Sequence, residues 1–209
     1  MNSFSIQSQN LSKFFGRRLI FKDINFTWKD NGIFGISGPN GSGKSTLVKI
    51  IAGLIAPTSG KIIHKNSDGE IIPEKLHNHI GFVSPYLVLY EEFSAWENLK
   101  IFAKIRGVPF NKEKVLYYLS QFLLDNRKDD LVKTYSSGMK QRLKFAFALM
   151  HSPDVLIFDE PTSNLDEEGK KVVYKIILEE GKNRIVIVAS NEMKDLELCQ
   201  EVLFLEKYK

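Results

Sequence analysis

A single cysteine, Cys199, rules out any internal disulfide; this fits a reducing compartment and equally a disulfide-free secreted protein. Its setting in "LELCQEV" suits a small core filler. Long apolar runs are missing too. No stretch approaches the ~18 apolar residues that a bilayer-crossing helix needs, and the opening "MNSFSIQSQNLSKFF" alternates polar and apolar residues where a signal peptide would carry a continuous apolar core. The chain is therefore expected to be soluble by itself, with any membrane role coming through a partner. Charge of one sign is not in excess: 29 Lys and Arg face 25 Asp and Glu, a formal +4. That balance mildly favours anionic ligands such as nucleotides or a lipid surface and is far from the extreme of a nucleic-acid binder, so no nucleic-acid partner is expected. No repeat or low-complexity linker interrupts the 209 residues, and 43% hydrophobic content supplies the core of one domain.

The strand-like runs are "SFSIQSQ", "INFTW", "GIFGIS", "GKIIH", "IGFVS", "DVLIFDE", "RIVIVAS" and "EVLFLEK". Continuous apolar runs separated by helical stretches fit interior parallel strands of an α/β sheet. Around "KIIHKNSDGEII", turn chemistry from Asn66 to Gly69 between two β-branched runs predicts an antiparallel hairpin. From Ser94 to His151 the periods become helical, opening on a capping-box spacing of Ser94 and Glu97; Asn111 is placed to cap a second helix.

The strongest pattern is "GIFGISGPNGSGKST": Gly38, Pro39, Asn40, Gly41 and Ser42, then Gly43, Lys44, Ser45 and Thr46, between a buried strand and the apolar helix "LVKIIAGL". Glycines let backbone N–H groups turn toward phosphate oxygens while a helix N-terminus adds a favourable dipole. Lys44 would reach the β- and γ-phosphates and Ser45 would ligate Mg²⁺. In "DVLIFDEPTSNLD" a buried strand delivers Asp159 and Glu160 to its C-terminal end, where open α/β sheets build their sites. Two adjacent carboxylates beside a polyphosphate make sense with Asp159 on the metal and Glu160 as base toward the attacking water. A third segment, "YSSGMKQRLKFAFALMHSPD", starts an amphipathic helix at Ser136, Ser137 and Gly138, a second anion-binding N-terminus.

With these three motifs in order, nearly the whole chain resembles the ATP-binding subunits of ABC transporters. That family reads L-S-G-G-Q where this chain has "YSSGM", keeping Ser136 and Gly138 and substituting Tyr135, Ser137 and Met139. The resemblance implies a P-loop, RecA-like core with a mainly parallel sheet, an antiparallel β lobe and an inserted α-helical lobe. It divides one domain, 1–209, into 1–93 with 152–209 and a helical lobe at 94–151. It implies ATP and Mg²⁺ as cofactors, a homodimer or pseudo-dimer sandwiching ATP, transmembrane permease subunits docked through the 85–98 region, and a cytoplasmic, peripheral position on the inner membrane face. Phe15 matches the aromatic that stacks on adenine, or is a core aromatic; Asp166 matches the loop aspartate that communicates across the dimer. Tyr86, Tyr90, Phe93 and Trp96 suit a docking groove and a core equally.

Two positions depart from the family. Pro85 stands where a glutamine is usual, so no side-chain amide is offered there; Ser84 is one substitute, purely mechanical coupling the other. Asn191, in "VASNEM", stands at the switch histidine, and the four histidines, at 64, 77, 79 and 151, fall elsewhere. Asn191 is a γ-phosphate donor, or with Ser190 a polar strand end. Compact length and "SGMKQRL" are similar to export-type ATPases, including the haem-exporter subunit of cytochrome c biogenesis. A transport motor is the leading function. A soluble ABC protein acting in assembly or translation and a nucleotide-sensing module with impaired turnover are the alternatives; Lys44, Asp159 and Glu160 together argue against the last.

Overall fold

The structure, a computed structural model, describes residues 4–209. Its sheet of five parallel strands has the order β6-β7-β8-β3-β9: β3 (Gly32–Ser37), β6 (Ile80–Val83), β7 (Val155–Asp159), β8 (Ile185–Ser190) and β9 (Glu201–Phe204). The apolar runs are continuous because both faces of the sheet are covered. Leu156 and Phe158 of β7 and Val186 and Val188 of β8 enter one core with the helices, while Val155, Ile157, Ile185 and Ile187 enter a second core behind them. That alternation is the period-two geometry of a strand buried twice.

The second core is shared with an antiparallel sheet, order β2-β1-β4-β5: β1 (Ser5–Phe15), β2 (Arg18–Lys29), β4 (Ser59–Asn66) and β5 (Gly69–Glu70). Phe26 stacks on Trp28, and Trp28 on Phe34 of β3, joining the two sheets. The hairpin at Asn66–Gly69 forms as its turn residues require. The strands β1 and β2 run further than their apolar stretches suggest, because cross-strand pairing carries them to a turn at Gly16, φ 57°, which sets Phe15 at the tip of the hairpin. Ser3, the first residue of the "SFSIQSQ" run, lies outside the described residues.

The helical segment holds α3 (Ala95–Arg106), α4 (Lys112–Gln121) and α5 (Ser137–Leu149), after α1 (Lys44–Ile51) and the short α2 (Pro73–Leu76). The capping box forms in full: Glu97 N donates to Ser94 Oγ at 3.1 Å and Ser94 N to Glu97 Oε2 at 2.8 Å. Asn111 accepts from Lys114 N at 3.0 Å, and Ser136 from Met139 N at 3.2 Å. The helix α5 lies against β6 so closely that a Cβ on Gly81 would come within 2.2 Å of the Ala148 carbonyl. After β7 come α6 (Glu167–Gly181) and α7 (Met193–Leu196). Cys199 is the expected filler: it packs beside the first core, and burial pushes its thiol up to about 12.

Candidate functional site

Strand order builds the site. The strand β8 lies between β3 and β7, with Ser37 beside Ser190 and Ala189 beside Asp159. One step beyond those pairs the register brings Gly38 level with Asn191, and Glu160 level with Ser190, at the C-terminal sheet edge. Buried β-branched strands thus deliver three polar segments to one line.

The loop from Gly38 to Gly43 closes onto its own lysine. Lys44 Nζ, nearly buried, donates to the Gly38 carbonyl at 2.8 Å and pairs with Glu160 Oε1 at 3.1 Å. Gly43 has φ 110°, and a Cβ there would meet Ile20 Cγ2 at 2.6 Å, so only glycine lets the loop pass under β2 into α1. Ser45 Oγ donates to Asp159 Oδ1 at 3.1 Å. Asp159 is fully buried, its Oδ2 has no hydrogen-bond partner among the described residues, and burial raises its pKa above the ordinary carboxylate value, opposed by the Ser45 bond and reinforced by the charge of Glu160. An orphaned carboxylate oxygen beside a serine hydroxyl is an all-oxygen donor set, which fits Mg²⁺. Glu160 sits at φ 50°, a strained conformation for a non-glycine residue, held by its N–H bond to the Ala189 carbonyl at 2.8 Å.

A cavity of about 460 Å³ opens over these groups, lined by Phe15, Arg18, Ile20, Asn40, Gly41, Gly43, Lys44, Ser45, Thr46, Pro85, Tyr86 and Glu160. Phe15, 54% exposed, presents its ring here, with Lys13 Nζ 4.9 Å from the ring centroid; it is not a core aromatic. Gly38, Pro39, Ser42 and Asp159 are not part of the lining: Ser42 and Asp159 are buried, and Pro39 is exposed. Ser84 is buried, its Oγ accepting from Tyr86 N at 3.3 Å, which occupies the hydroxyl within its own turn.

Ser136 and Gly138 do not line the cavity. Ser136 is the exposed N-cap of α5, whose first turn carries no acid, and Gly138 lies against the Asn164 carbonyl. Asp166 likewise stands apart: it caps α6 by accepting from Gly169 N at 2.8 Å and lies 3.9 Å from Arg142 of α5. Of the terminal triplet, Asn191 and Glu192 are exposed and Ser190 is fully buried.

Two features lie outside those motifs. Asp195, fully buried on α7, accepts from Ser190 Oγ at 2.7 Å, Tyr174 OH at 2.9 Å and Thr162 Oγ1 at 3.0 Å, tying the loop after β7 to α6 and to the end of β8. Three hydroxyls scattered over thirty residues leave no local pattern. Lys144 is buried inside α5, and there the sequence does hold a signal, a lone charge in "LKFAFALM".

The family model described as ABC transporter matches residues 21–163. The ABC transporter ATP-binding protein YybJ of Bacillus subtilis is 34% identical over 95% of this chain and 91% of its own length. The lantibiotic transport ATP-binding protein SrtF of Streptococcus pyogenes is 34% identical over 92% of this chain and 82% of its own. A solved ABC transporter ATP-binding protein from Pyrococcus furiosus superposes with a TM-score of 0.84 at 28% identity, over 98% of this chain and 99% of the other. The chain belongs to the ABC transporter family of ATP-binding proteins. It is, by that membership, an ATPase of the transport-coupled class.

Proposed function

We propose that this ATPase is the motor subunit of an export-type ABC transporter, working as a head-to-tail dimer that closes on two ATP molecules and drives membrane subunits seated on the 85–98 segment. The observation that carries the reading is the meeting of Lys44, Ser45, Asp159 and Glu160 under one cavity while the Ser136 N-terminus faces solvent elsewhere. A γ-phosphate held by Lys44 in one protomer needs a second donor surface, and an exposed, acid-free helix N-terminus on the other protomer supplies it.

In this reading Phe15 stacks on adenine, and residues 38–46 wrap the phosphates. Ser45 and Asp159 hold Mg²⁺, which when bound neutralises charge developing on the phosphoryl oxygens. Glu160 accepts the proton of the attacking water, and Asn191 donates to the γ-phosphate. Asp166 joins the two protomers through its contact with α5.

Docking is supported by surface chemistry. Tyr86, 74% exposed, Tyr90 and Phe93 face outward from a loop folded around buried Asn98, whose Nδ2 donates to the Tyr90 and Ser94 carbonyls at 2.8 and 2.9 Å. Beside them a largely apolar cleft of about 270 Å³ opens between Leu54, Leu87, Phe102 and Phe147, at the seam of core and helical lobe, 1–93 with 152–209 against 94–151. Trp96 is only partly buried, edge-on to Phe110. The membrane position is peripheral and cytoplasmic; among the described residues no helix is long and apolar enough to cross a bilayer. SrtF is named for lantibiotic transport, which supports a transport task for this chain also. Co-expression with a membrane subunit from the same gene neighbourhood tests the reading: co-purification and ATP-dependent transport are expected, and an ATPase that stays monomeric and unattached under those conditions overturns it.

A further inference from the structure

We infer that Lys144 is a positioning residue for hydrolysis, its ammonium tying the loop wall of the nucleotide cavity to the helix that begins at Ser136. Lys144 is 8% exposed, and its Nζ donates to the Ser84 carbonyl at 3.2 Å and to the Pro85 carbonyl at 2.9 Å. No carboxylate lies within ion-pair distance of it among the described residues. A buried ammonium bonded only to neutral carbonyls is poorly compensated for its lost hydration, and an unbranched apolar side chain of the same length would fit the site at lower cost. Fold stability therefore does not account for this lysine.

What it holds does. Pro85 and Tyr86 line the same cavity as Phe15 and Glu160. A proline offers no N–H and no amide, and Ser84 Oγ is taken up within its own turn; apart from Lys49 Nζ, 5.1 Å from the centroid of the Tyr86 ring, what this wall offers a tether is its backbone carbonyls. Lys144 supplies two donors to them. The same seam continues outward: Lys140 pairs with Glu91 at 2.6 Å, and the N–H groups of Lys133 and Val132 donate to the Glu91 and Phe93 carbonyls, both at 2.9 Å. A shift of α5 thus carries the cavity wall and the outward-facing 86–93 loop with it.

The inference rests on reading the cavity as the ATP site, which titration of the parent protein with ATP checks separately; a parent that fails to bind overturns that reading and leaves the Lys144 geometry standing. Lys144→Met and Lys144→Arg are compared with the parent for thermal midpoint, ATP affinity, KM and kcat. Lys144→Met should keep or raise the thermal midpoint and leave Kd and KM within about threefold, while kcat falls roughly tenfold or more as the wall beside the reacting group loses its register. Lys144→Arg, which keeps charge and donors, should recover at least about a third of the parental kcat. As a control, Lys175→Gln removes only an exposed ion pair with Glu179 within α6 and should hold kcat within about twofold. A Lys144→Met protein with unchanged kcat overturns the inference. So does equal loss of kcat in the Met and Arg variants, which would make the lysine a matter of packing; that comparison also decides the case if Lys144→Met folds poorly.

Discussion

Lys44 Nζ and Glu160 Oε1 lie 3.1 Å apart, so the cation that would hold phosphate and the carboxylate that would activate water are partners of one another. On the proposed reading, a polyphosphate entering the cavity would compete with Glu160 for this ammonium and free the carboxylate for the attacking water. Lys44→Ala removes the competitor's prize and also the bond to the Gly38 carbonyl that closes the loop. Two charge-assisted hydrogen bonds at roughly 1.5–3 kcal/mol each put the loss of ATP affinity at about 100-fold or more. Calorimetric titration checks it, and undiminished affinity would remove Lys44 from the site.

Glu160→Gln has the opposite effect on binding. The substitution takes away a negative charge that pairs with Lys44 and that raises the pKa of Asp159, so the tetra-anionic nucleotide meets less repulsion. ATP should bind as tightly as to the parent or tighter. Without a proton acceptor, phosphate release should slow by about 100-fold or more. The ATP-loaded variant is expected to run as a dimer in sizing chromatography, and a persistent monomer at high protein concentration would count against the sandwich.

The parallel sheet and the phosphate loop were legible in the sequence because each obeys a local rule: a doubly buried strand is apolar throughout, and glycines at fixed spacing can follow one only in a few geometries. The caps at Ser94, Asn111 and Ser136 are local in the same sense. The full length of β1 and β2 was not legible, since residues such as Ser12, Lys13 and Arg18 join the strands through cross-strand pairing and not through their own pattern. Ser190 shows the same limit inside the candidate site. Its buried role depends on Asp195, Thr162 and Tyr174, which only the packing of α6 and α7 brings together.

That cluster makes a stability prediction. Asp195→Ala leaves three hydroxyls without their acceptor, and the penalty for unpaired buried polar groups suggests a loss of about 3 kcal/mol. For a chain of this size that corresponds to a thermal midpoint lower by about 6–12 °C. Differential scanning calorimetry measures it. A shift under about 2 °C would mean that water replaces the carboxylate.

The docking surface is best probed at a side chain whose ring neighbour is itself exposed, as Phe93 is beside Tyr90 at 6.1 Å. Tyr86 lines the cavity and Trp96 packs on Phe110, so substitution at either mixes two effects. Tyr90 is 55% exposed and anchored through its backbone to Asn98. Tyr90→Glu should keep the thermal midpoint within about 2 °C and ATP affinity within about twofold, while abolishing transport in the assembled complex, because a charge at the centre of an apolar contact is desolvated without a partner. Retained transport would move the docking site elsewhere.

Asn191 carries the sharpest test, because its strand lies between the two that supply the phosphate loop and Glu160. Ser190 anchors the strand end: it donates to Asp195 and accepts from Glu192 N at 3.0 Å, leaving Asn191 exposed at the sheet edge, its side-chain amide without a hydrogen bond among the described residues. An asparagine amide donates a hydrogen bond as an imidazole does, yet it neither titrates nor carries charge near neutral pH. If Asn191 bonds the γ-phosphate, Asn191→Ala costs one hydrogen bond to a charged group, roughly 1.5–3 kcal/mol, and slows hydrolysis about 10- to 150-fold with a smaller change in ATP affinity. The parental rate should show no inflection attributable to a histidine at this position. Asn191→His should introduce one near pH ~6.5, with the direction of the limb reporting which protonation state serves the γ-phosphate. Steady-state rates across pH for the three proteins decide the matter. An Asn191→Ala enzyme turning over at the parental rate would reduce the residue to a polar strand end and leave γ-phosphate contact to Lys44 and to the opposite protomer's Ser136.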